Sequence, residues 1–237
     1  MRSRRETITV ADGGFDMHLW VPDQGSGPGL LVLQEIFGVG PYIRKVAEDL
    51  AGRGYVVGAP DLFWRLQPNW AADHDDEGLT RSLDLAARFD FETGVADSAA
   101  ALDTLSRLPE VSGGTGVLGF CLGGSLAYAL AAQADPAAVV SFYGSAVPDS
   151  LGLMDQIAAP IQFQFGGQDP YIPRDQVTRV QEAAAGRDGM EVHVQEAAGH
   201  AFHNFEAPRF HHPAAEEAGW RLAVEFLSRH LPAGVRS

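Results

Sequence analysis

Short apolar segments recur along the chain and alternate with segments of helical periodicity. The strands predicted from them lie at 30–38, 55–60, 115–120, 137–144, 161–167 and 190–197. Continuous apolar runs are typical of strands covered on both faces, as in parallel sheets. Helices are predicted after Pro41, from about Val95, at 122–133, after Pro173 and near the C-terminus. Because strands and helices alternate, the fold class is α/β, a mostly parallel, doubly wound sheet with helices on both faces.

Two regions depart from this alternation. Segments 6–10 and 15–21 flank the turn sequence ADGG, which predicts an N-terminal β-hairpin. Residues 61–91 mix aromatic and acidic side chains, and we interpret them as a long excursion rather than as a sheet element. No internal repeat or second domain is recognisable, so residues 1–237 are expected to form a single domain.

The composition narrows the partners that the chain can have. Its net charge of −14 at pH 7 disfavours binding to nucleic acids and to anionic membrane surfaces. The single cysteine forms no internal disulfide, and neither a signal peptide nor a membrane-spanning apolar run is recognisable. We therefore expect a cytoplasmic protein, a monomer or small homo-oligomer, that acts on a small molecule.

One turn in the pattern carries the only cysteine. The sequence GVLGFCLGGS, residues 116–125, predicts a buried strand that passes through a glycine-flanked turn into a helix. Gly119, Cys121 and Gly123 form a G-x-C-x-G pattern, the nucleophile elbow of α/β-hydrolases with sulfur in place of oxygen. The N-terminus of the following helix favours a thiolate at Cys121. The alternative is a buried structural cysteine between glycines that allow close packing.

Two further residues follow in the order of a catalytic triad. In α/β-hydrolases an acid follows a later strand and a histidine follows the last strand. Here Asp169 follows the strand 161–167, and His200 follows the strand 190–197. Both lie where a parallel sheet exposes its carboxyl ends, the edge at which ligands bind. Singly, each is an ordinary turn or loop residue; together with Cys121 they predict an α/β-hydrolase fold and nucleophilic catalysis.

The remaining histidines do not predict a metal site. His203, His211 and His212 lie close to His200 in sequence, but no second cluster supplies the missing ligands. The others, interpreted as surface or strand positions, are His18, His74, His193 and His230. We expect neither a metal nor a cofactor.

At these residues the sequence resembles the dienelactone hydrolase family, the cysteine branch of the α/β-hydrolases. The likeness extends over roughly residues 15–230, and the segments QEIFGV, GFCLGG, GGQDP and AGHAF resemble the family's signature blocks. The resemblance implies cofactor-free hydrolysis of a carboxylic ester or lactone by Cys121, Asp169 and His200, through a thioester-linked acyl-enzyme. The oxyanion is expected to accept hydrogen bonds from the backbone N–H groups of Ile36 and Leu122.

Glu35 is a carboxylate at the end of an otherwise apolar strand. Such a group is costly to bury without a partner, so the alternatives are a side chain turned to solvent or paired with an arginine. The family resemblance implies a glutamate beside the cysteine that takes part in controlling its ionisation. A neighbouring negative charge disfavours a thiolate. The hypothesis is that Glu35 keeps Cys121 largely protonated at rest.

The chain departs from the family pattern where a substrate carboxylate would be bound. Family members use arginines and a tyrosine there, whereas the matching positions here are Leu79, Leu83 and Asn204, with Ala201 in place of a serine. Losing a bidentate guanidinium clamp removes a strong charge-assisted interaction. The substrate pocket is therefore expected to be altered, more apolar and less selective for anions.

Several other residues are candidates for substrate contacts. Arg81 and Arg209 are the candidates to replace the missing cation. The aromatic residues Phe37, Trp64, Tyr143 and Phe202 either line the acyl side of the pocket or belong to the ordinary core.

Two other functions compete with ester hydrolysis. A thioesterase or another acyl hydrolase would use the same thiol. A non-catalytic hydrolase fold, with Cys121 as a redox or ligand sensor, is the second alternative. Asp169 and His200 argue against a sensor, because a sensor has no need of an acid that orients an imidazole.

Overall fold

The structure, a computed structural model, describes residues 1–234 and contains one eight-stranded sheet within them. The strands are β1 (Arg2–Val10), β2 (Gly13–Val21), β3 (Gly27–Leu33), β4 (Val56–Pro60), β5 (Val111–Phe120), β6 (Val139–Phe142), β7 (Ile161–Gly166) and β8 (Met190–Gln195). Their order across the sheet is β1-β2-β4-β3-β5-β6-β7-β8. From β4 to β8 all neighbours are parallel, which confirms the predicted mostly parallel sheet.

The N-terminal hairpin is present and extends the sheet. β1 and β2 pair antiparallel from Arg2–Val21 to Val10–Gly13, and β2 in turn pairs antiparallel with β4. β1 begins earlier than predicted, because its polar first residues pair along the full length of β2. The hairpin lies far along the sheet from β7 and β8, so it supports the central strands rather than the site described below.

Helices cover both faces of the sheet. They are α1 (Pro41–Gly52), α2 (Asp76–Arg88), α3 (Phe91–Ser106), α4 (Leu122–Ala131), α5 (Arg174–Ala184) and α6 (Pro213–His230), with a short 3₁₀ helix at Leu151–Gln156. α3 packs against α4, while α1 and α6 meet through Trp220, whose Nε1 donates to Asp49 Oδ2 over 3.1 Å. In the described part of the chain, every helix falls short of what a bilayer crossing demands in length and apolarity.

The end of one predicted strand was wrong, and one helix was missed. β3 ends at Leu33 rather than at 38, so Gln34 and Glu35 lie beyond the strand. Region 61–91 contains no strand of the sheet, as predicted, but it includes the helix α2, which the sequence analysis missed. α2 begins with acidic residues and buries only Gly78, Ser82 and Leu85, so its apolar stripe is too sparse to stand out.

The parallel strands place five loops at one edge of the sheet. Glu35 follows β3, Cys121 follows β5, and Tyr143 follows β6. Asp169 and His200 lie in the loops after β7 and β8. Because these strands are neighbours and run in the same direction, residues distant in sequence meet at their carboxyl ends.

Candidate active site

Cys121 occupies a strained turn between β5 and α4. Its backbone has φ 55° and ψ −113°, a conformation that L-residues rarely adopt. A Cβ at Gly119 would overlap the carbonyl of Gly123, and a Cβ at Gly123 would overlap the carbonyl of Leu33. Only glycine fits at either position, which is the steric reason for the G-x-C-x-G pattern. The turn projects the thiol away from the sheet.

The structure brings the three predicted triad residues together. Sγ of Cys121 lies 3.2 Å from Nε2 of His200, and Nδ1 of His200 lies 2.7 Å from Oδ2 of Asp169. The other carboxylate oxygen, Oδ1 of Asp169, accepts hydrogen bonds from the backbone N–H groups of Tyr171 and Ile172. Asp169 is buried, and these donors hold its carboxylate in place behind the imidazole.

His200 is biased towards the charged imidazolium. Burial alone would disfavour that charge, but the negative charge of Cys121 and the hydrogen bond to Asp169 outweigh it. The pKa of His200 therefore lies well above its usual 6.5. An imidazole in this setting readily takes a proton from the thiol.

Two tyrosines hold the imidazole ring. The ring centroids of Tyr143 and Tyr171 each lie 5.1 Å from that of His200. Tyr143 is fully buried beneath the site, and its hydroxyl lies 3.5 Å from that of Tyr42. Tyr171 is 60% exposed and stands at the entrance. Tyr143, a candidate for substrate contact, thus supports His200 from below.

Glu35 is buried beside this group and contacts two uncharged side chains. Asn204 Nδ2 donates to Glu35 Oε2 over 2.6 Å. His74 Nε2 lies 3.0 Å from the same Asn204 nitrogen and 4.0 Å from Glu35 Oε2. Within residues 1–234, Glu35 neither turns to solvent nor pairs with an arginine. Asn204, a candidate for substrate binding, is fully buried and contacts Glu35 instead.

The charge of Glu35 is finely balanced. Burial raises the pKa of its carboxyl from 4.5 to about 7, although the charge of His200 and the hydrogen bond from Asn204 oppose the shift. Near neutral pH the carboxyl is therefore divided between its charged and neutral forms. Small changes in its hydrogen bonds will alter the charge that it presents to the neighbouring thiol.

The interpretation of His74 as a surface or strand position was wrong. Its side chain is only 7% exposed and lies in the loop before α2. Its ring packs against that of Phe37, with centroids 4.2 Å apart. The sequence carried no signal for this contact, since His74 and Asn204 are 130 positions apart and both lie in loops.

The backbone N–H group of Ile36 lies in the loop after β3, and that of Leu122 lies in the first turn of α4. The N–H of Gly123 donates to the carbonyl of Gln34 over 3.0 Å, which ties the loop after β3 to the start of α4. Among residues 1–234, the N–H groups of Ile36 and Leu122 donate to no other protein group. Ile36 and Cys121 line the same cavity.

A cavity of about 150 Å³ opens over the thiol. Its wall consists of Glu35, Ile36, Phe37, Leu79, Leu83, Cys121, Ser145, Tyr171, His200, Ala201 and Phe210. No lysine or arginine belongs to this set of described residues. The sequence analysis missed Ser145, Tyr171 and Phe210; Tyr171 lies two positions after Asp169, so the loop that carries the acid was a usable signal.

Several candidate substrate contacts lie elsewhere. Trp64 does not line the cavity: its ring stacks on Phe15, and its Nε1 donates to Asp97 of α3. Phe202 is fully buried in the core. Arg81 is largely exposed and lies over the ring of Trp70. Arg209 is also exposed and pairs with Asp76 at the start of α2. Of the aromatic candidates, Phe37 lines the cavity.

Comparison with known proteins agrees with this geometry. The sequence profile of the dienelactone hydrolase family matches residues 15–231. The chain belongs to the dienelactone hydrolase family. The predicted family membership is thereby confirmed, and with it the prediction that the chain is an enzyme, a hydrolase of this family.

Individual family members are similar over nearly the whole chain. The carboxymethylenebutenolidase of Pseudomonas sp. strain P51 is 34% identical over 230 residues, which cover 96% of each chain. Carboxymethylenebutenolidase 1 of Cupriavidus pinatubonensis is 32% identical, over 93% of this chain and 94% of that one. The crystal structure of a dienelactone hydrolase from Anabaena variabilis superposes with a TM-score of 0.70 at 21% identity, covering 97% of this chain and 98% of that chain. It confirms the α/β-hydrolase fold.

Proposed function

We propose that this dienelactone hydrolase-like enzyme hydrolyses uncharged carboxylic esters or lactones through a Cys121–His200–Asp169 triad. The observation that carries the proposal is the unbroken line of contacts from Cys121 Sγ to His200 and on to Asp169, at the floor of an apolar cavity. The relatives named above are carboxymethylenebutenolidases, which is consistent with a lactone or ester as substrate.

Acylation begins with the proton of the Cys121 thiol. His200 Nε2 takes this proton while Sγ attacks the ester carbonyl carbon, and the carbonyl electrons move to oxygen. The backbone N–H groups of Ile36 and Leu122 donate to the oxyanion. When the tetrahedral intermediate collapses, the carbon–oxygen bond to the alcohol breaks, and His200 protonates the leaving oxygen. The acyl group is then held as a thioester on Cys121.

Deacylation repeats these steps with water as the nucleophile. His200 takes a proton from the water as it attacks the thioester carbonyl, and the same N–H groups accommodate the second oxyanion. Collapse releases the carboxylic acid and returns the sulfur, which regains its proton from His200. Asp169 holds the Nδ1–H tautomer of the imidazole throughout.

The cavity wall supports an uncharged substrate. Ile36, Phe37, Leu79, Leu83 and Phe210 present hydrocarbon to the space above the thiol. Glu35 is the residue of this wall that can carry a negative charge besides the thiol itself. A substrate carboxylate would lose its hydration there and meet no lysine or arginine, and the imidazolium of His200 already faces the charges of Cys121 and Asp169. We therefore assign the cavity to neutral acyl groups.

Hydrolysis of p-nitrophenyl acetate by the wild type, Cys121→Ala and His200→Ala tests the proposal. Each substitution is expected to lower kcat/KM by at least about 10³-fold, because each removes a member of one chemical unit. His230→Ala, at the end of α6, is the matched control and should retain activity. Rapid quenching should give an acyl adduct, by intact mass, on the single cysteine.

Three outcomes would contradict the proposal. Equal, low activity in the wild type and both variants would favour a sensor. Undiminished activity in Cys121→Ala would place the nucleophile elsewhere. Cleavage of acyl thioesters alone, with no turnover of oxygen esters or lactones, would favour a thioesterase.

A further inference from the structure

Asn204 is held in one orientation beside Glu35. The backbone N–H of Glu206 donates to Asn204 Oδ1 over 3.0 Å, which identifies the oxygen end of the amide. Both N–H bonds of Nδ2 are then accounted for: one points to Glu35 Oε2 and the other to His74 Nε2. Asn204 therefore bridges a carboxylate and an imidazole inside the protein.

This contact fixes the protonation of His74. Asn204 Nδ2 can only donate, so Nε2 of His74 accepts and the ring proton lies on Nδ1. Burial lowers the pKa of His74, which favours the same neutral form despite the negative charges of Glu206 and Asp73 nearby. Packing on Phe37 holds the ring against rotation. The neutral imidazole thus keeps the amide of Asn204 turned towards Glu35.

We propose that Asn204 and His74 are positioning residues that set the charge of Glu35 and, through it, the ionisation of the Cys121 thiol. The inference deepens the proposed function, because it concerns the same thiol. A hydrogen bond from Asn204 stabilises the carboxylate relative to the neutral carboxyl. His74 acts one step further away, by holding the donor in place. Neither side chain lines the cavity.

Because of the groups around Glu35, its charge affects how strongly His200 stabilises a thiolate at Cys121. The ionisable groups that face it are Tyr42 of α1, His74 before α2, Cys121 at the elbow, Tyr143 after β6 and His200 after β8. Burial raises the pKa of both phenols well above 10, so they stay neutral. With His74 neutral as well, the carboxylate of Glu35 and the thiolate of Cys121 compete for one cation, His200. When Glu35 is neutral, the charge of His200 stabilises the thiolate of Cys121 alone.

Alkylation by iodoacetamide without substrate tests the proposal directly. Cys121 is the only cysteine, so the adduct measured by intact mass reports on this sulfur alone. Asn204→Leu removes the donor, so Glu35 should stay protonated to a pH about one unit higher, and alkylation at pH 7 should accelerate about threefold to tenfold. His74→Leu should act in the same direction but less strongly. His74→Gln, whose amide oxygen can accept from Asn204, should restore a rate near that of the wild type.

A double-mutant cycle separates this role from a merely structural one. In a Glu35→Gln background no carboxylate remains, so Asn204→Leu and His74→Leu should no longer change the rate. His230→Leu serves as a remote control in both backgrounds. Equal acceleration with and without Glu35 would overturn the proposal, as would an unchanged rate in folded Asn204→Leu and His74→Leu. If Asn204→Leu fails to fold, the comparison of His74→Leu with His74→Gln decides alone.

The outcome is independent of hydrolysis. Because the assay contains no ester, the cycle gives the same readout whether or not the enzyme turns over the proposed substrates. Failure of the proposed function would appear as absent esterase activity with the alkylation pattern intact. Failure of this inference would appear as normal esterase activity with alkylation rates that are unchanged by substitution of Asn204 or His74.

Discussion

Glu35 shows how a single residue links the chemistry of the site to the stability of the fold. Its carboxyl is buried, its donor Asn204 is uncharged, and its pKa is raised to about 7. The charge of His200 compensates only in part for the cost of burying this carboxylate. The protein therefore retains at this position a group that weakens the folded state at neutral pH, as expected where a residue serves function.

This imbalance predicts a pH-dependent effect of Glu35→Gln on stability. In the unfolded chain the carboxyl titrates near 4.5, and in the folded state near 7. Between these values the folded state holds a proton that the unfolded chain has lost, so wild-type stability falls as pH rises through this window. Each pKa unit corresponds to about 1.4 kcal/mol, so the variant should gain about 3 kcal/mol over the wild type by pH 8 and little at pH 4.5.

Urea denaturation at the two pH values measures the difference. Glu217→Gln, at an exposed position of α6, is the matched control. A variant that is destabilised equally at both pH values would contradict this prediction. It would show that the interactions of the Glu35 carboxylate outweigh the cost of its desolvation.

Single residues of the site were predictable from the sequence where they directly follow a predicted strand. Cys121, Asp169 and His200 each follow a strand whose direction the apolar pattern indicates, so their convergence follows from the topology. The contact of Asn204 with Glu35 and His74 joins three loops, and no periodicity reports on it. For the same reason the sequence did not show that Trp64 lies away from the cavity, where its Nε1 donates to Asp97 on α3.

At the scale of elements, α2 decides what the cavity can bind. Leu79 and Leu83 are four positions apart, so they lie on the same face of the helix and both reach the cavity. Arg81 lies two positions from each and therefore projects from the other side, over Trp70. The helical period, rather than the nearness in sequence, excludes Arg81 as a partner for a substrate carboxylate.

Leu79→Arg should therefore change the substrate preference. It places a guanidinium on the cavity face of α2, where it can form a bidentate, charge-assisted pair with a substrate carboxylate. The ratio of kcat/KM for a carboxylated ester to that for its neutral counterpart is expected to rise about tenfold. Arg81→Leu, which removes a cation from the outer face, should leave the ratio unchanged. A fall in the ratio after Arg81→Leu would show that Arg81 does serve the site.

Elements with strong apolar patterns were predicted well, and α2 was not. The buried strands are nearly continuous in apolar residues, which only a covered sheet explains. α2 covers the site with few buried side chains and leaves Leu83 half exposed, so its sequence resembles that of a loop. The early end of β3 has a related cause, since Gln34 and Glu35 turn towards loops and leave the strand pairing.

At the scale of the whole molecule, the charge of the protein would reinforce the proposed preference for neutral substrates. A net charge of −14 produces a negative potential that lowers the local concentration of anions. Dissolved salt screens this potential, with a Debye length of about 30 Å at 0.01 M and about 8 Å at 0.15 M.

Salt should accordingly favour anionic substrates selectively. Raising the ionic strength from about 0.01 M to about 0.15 M is expected to increase kcat/KM for a carboxylated ester about threefold, while that for the neutral counterpart stays nearly constant. Parallel assays of the matched pair measure the effect. A decrease for the carboxylated ester would indicate a local cation that attracts it and would contradict the assignment of the cavity to neutral acyl groups.

The outermost strand of the sheet determines when the proposed nucleophile would lose the imidazole beside it. β8 has β7 as its sole neighbour among the described strands, and all of its residues are partly exposed. The loop that follows it carries His200, 79 positions from Cys121. Fraying of this outermost strand would withdraw the imidazole while the central strands remain paired. On warming, inactivation would then precede melting, and cooling would restore a competent enzyme from a chain that never lost its core.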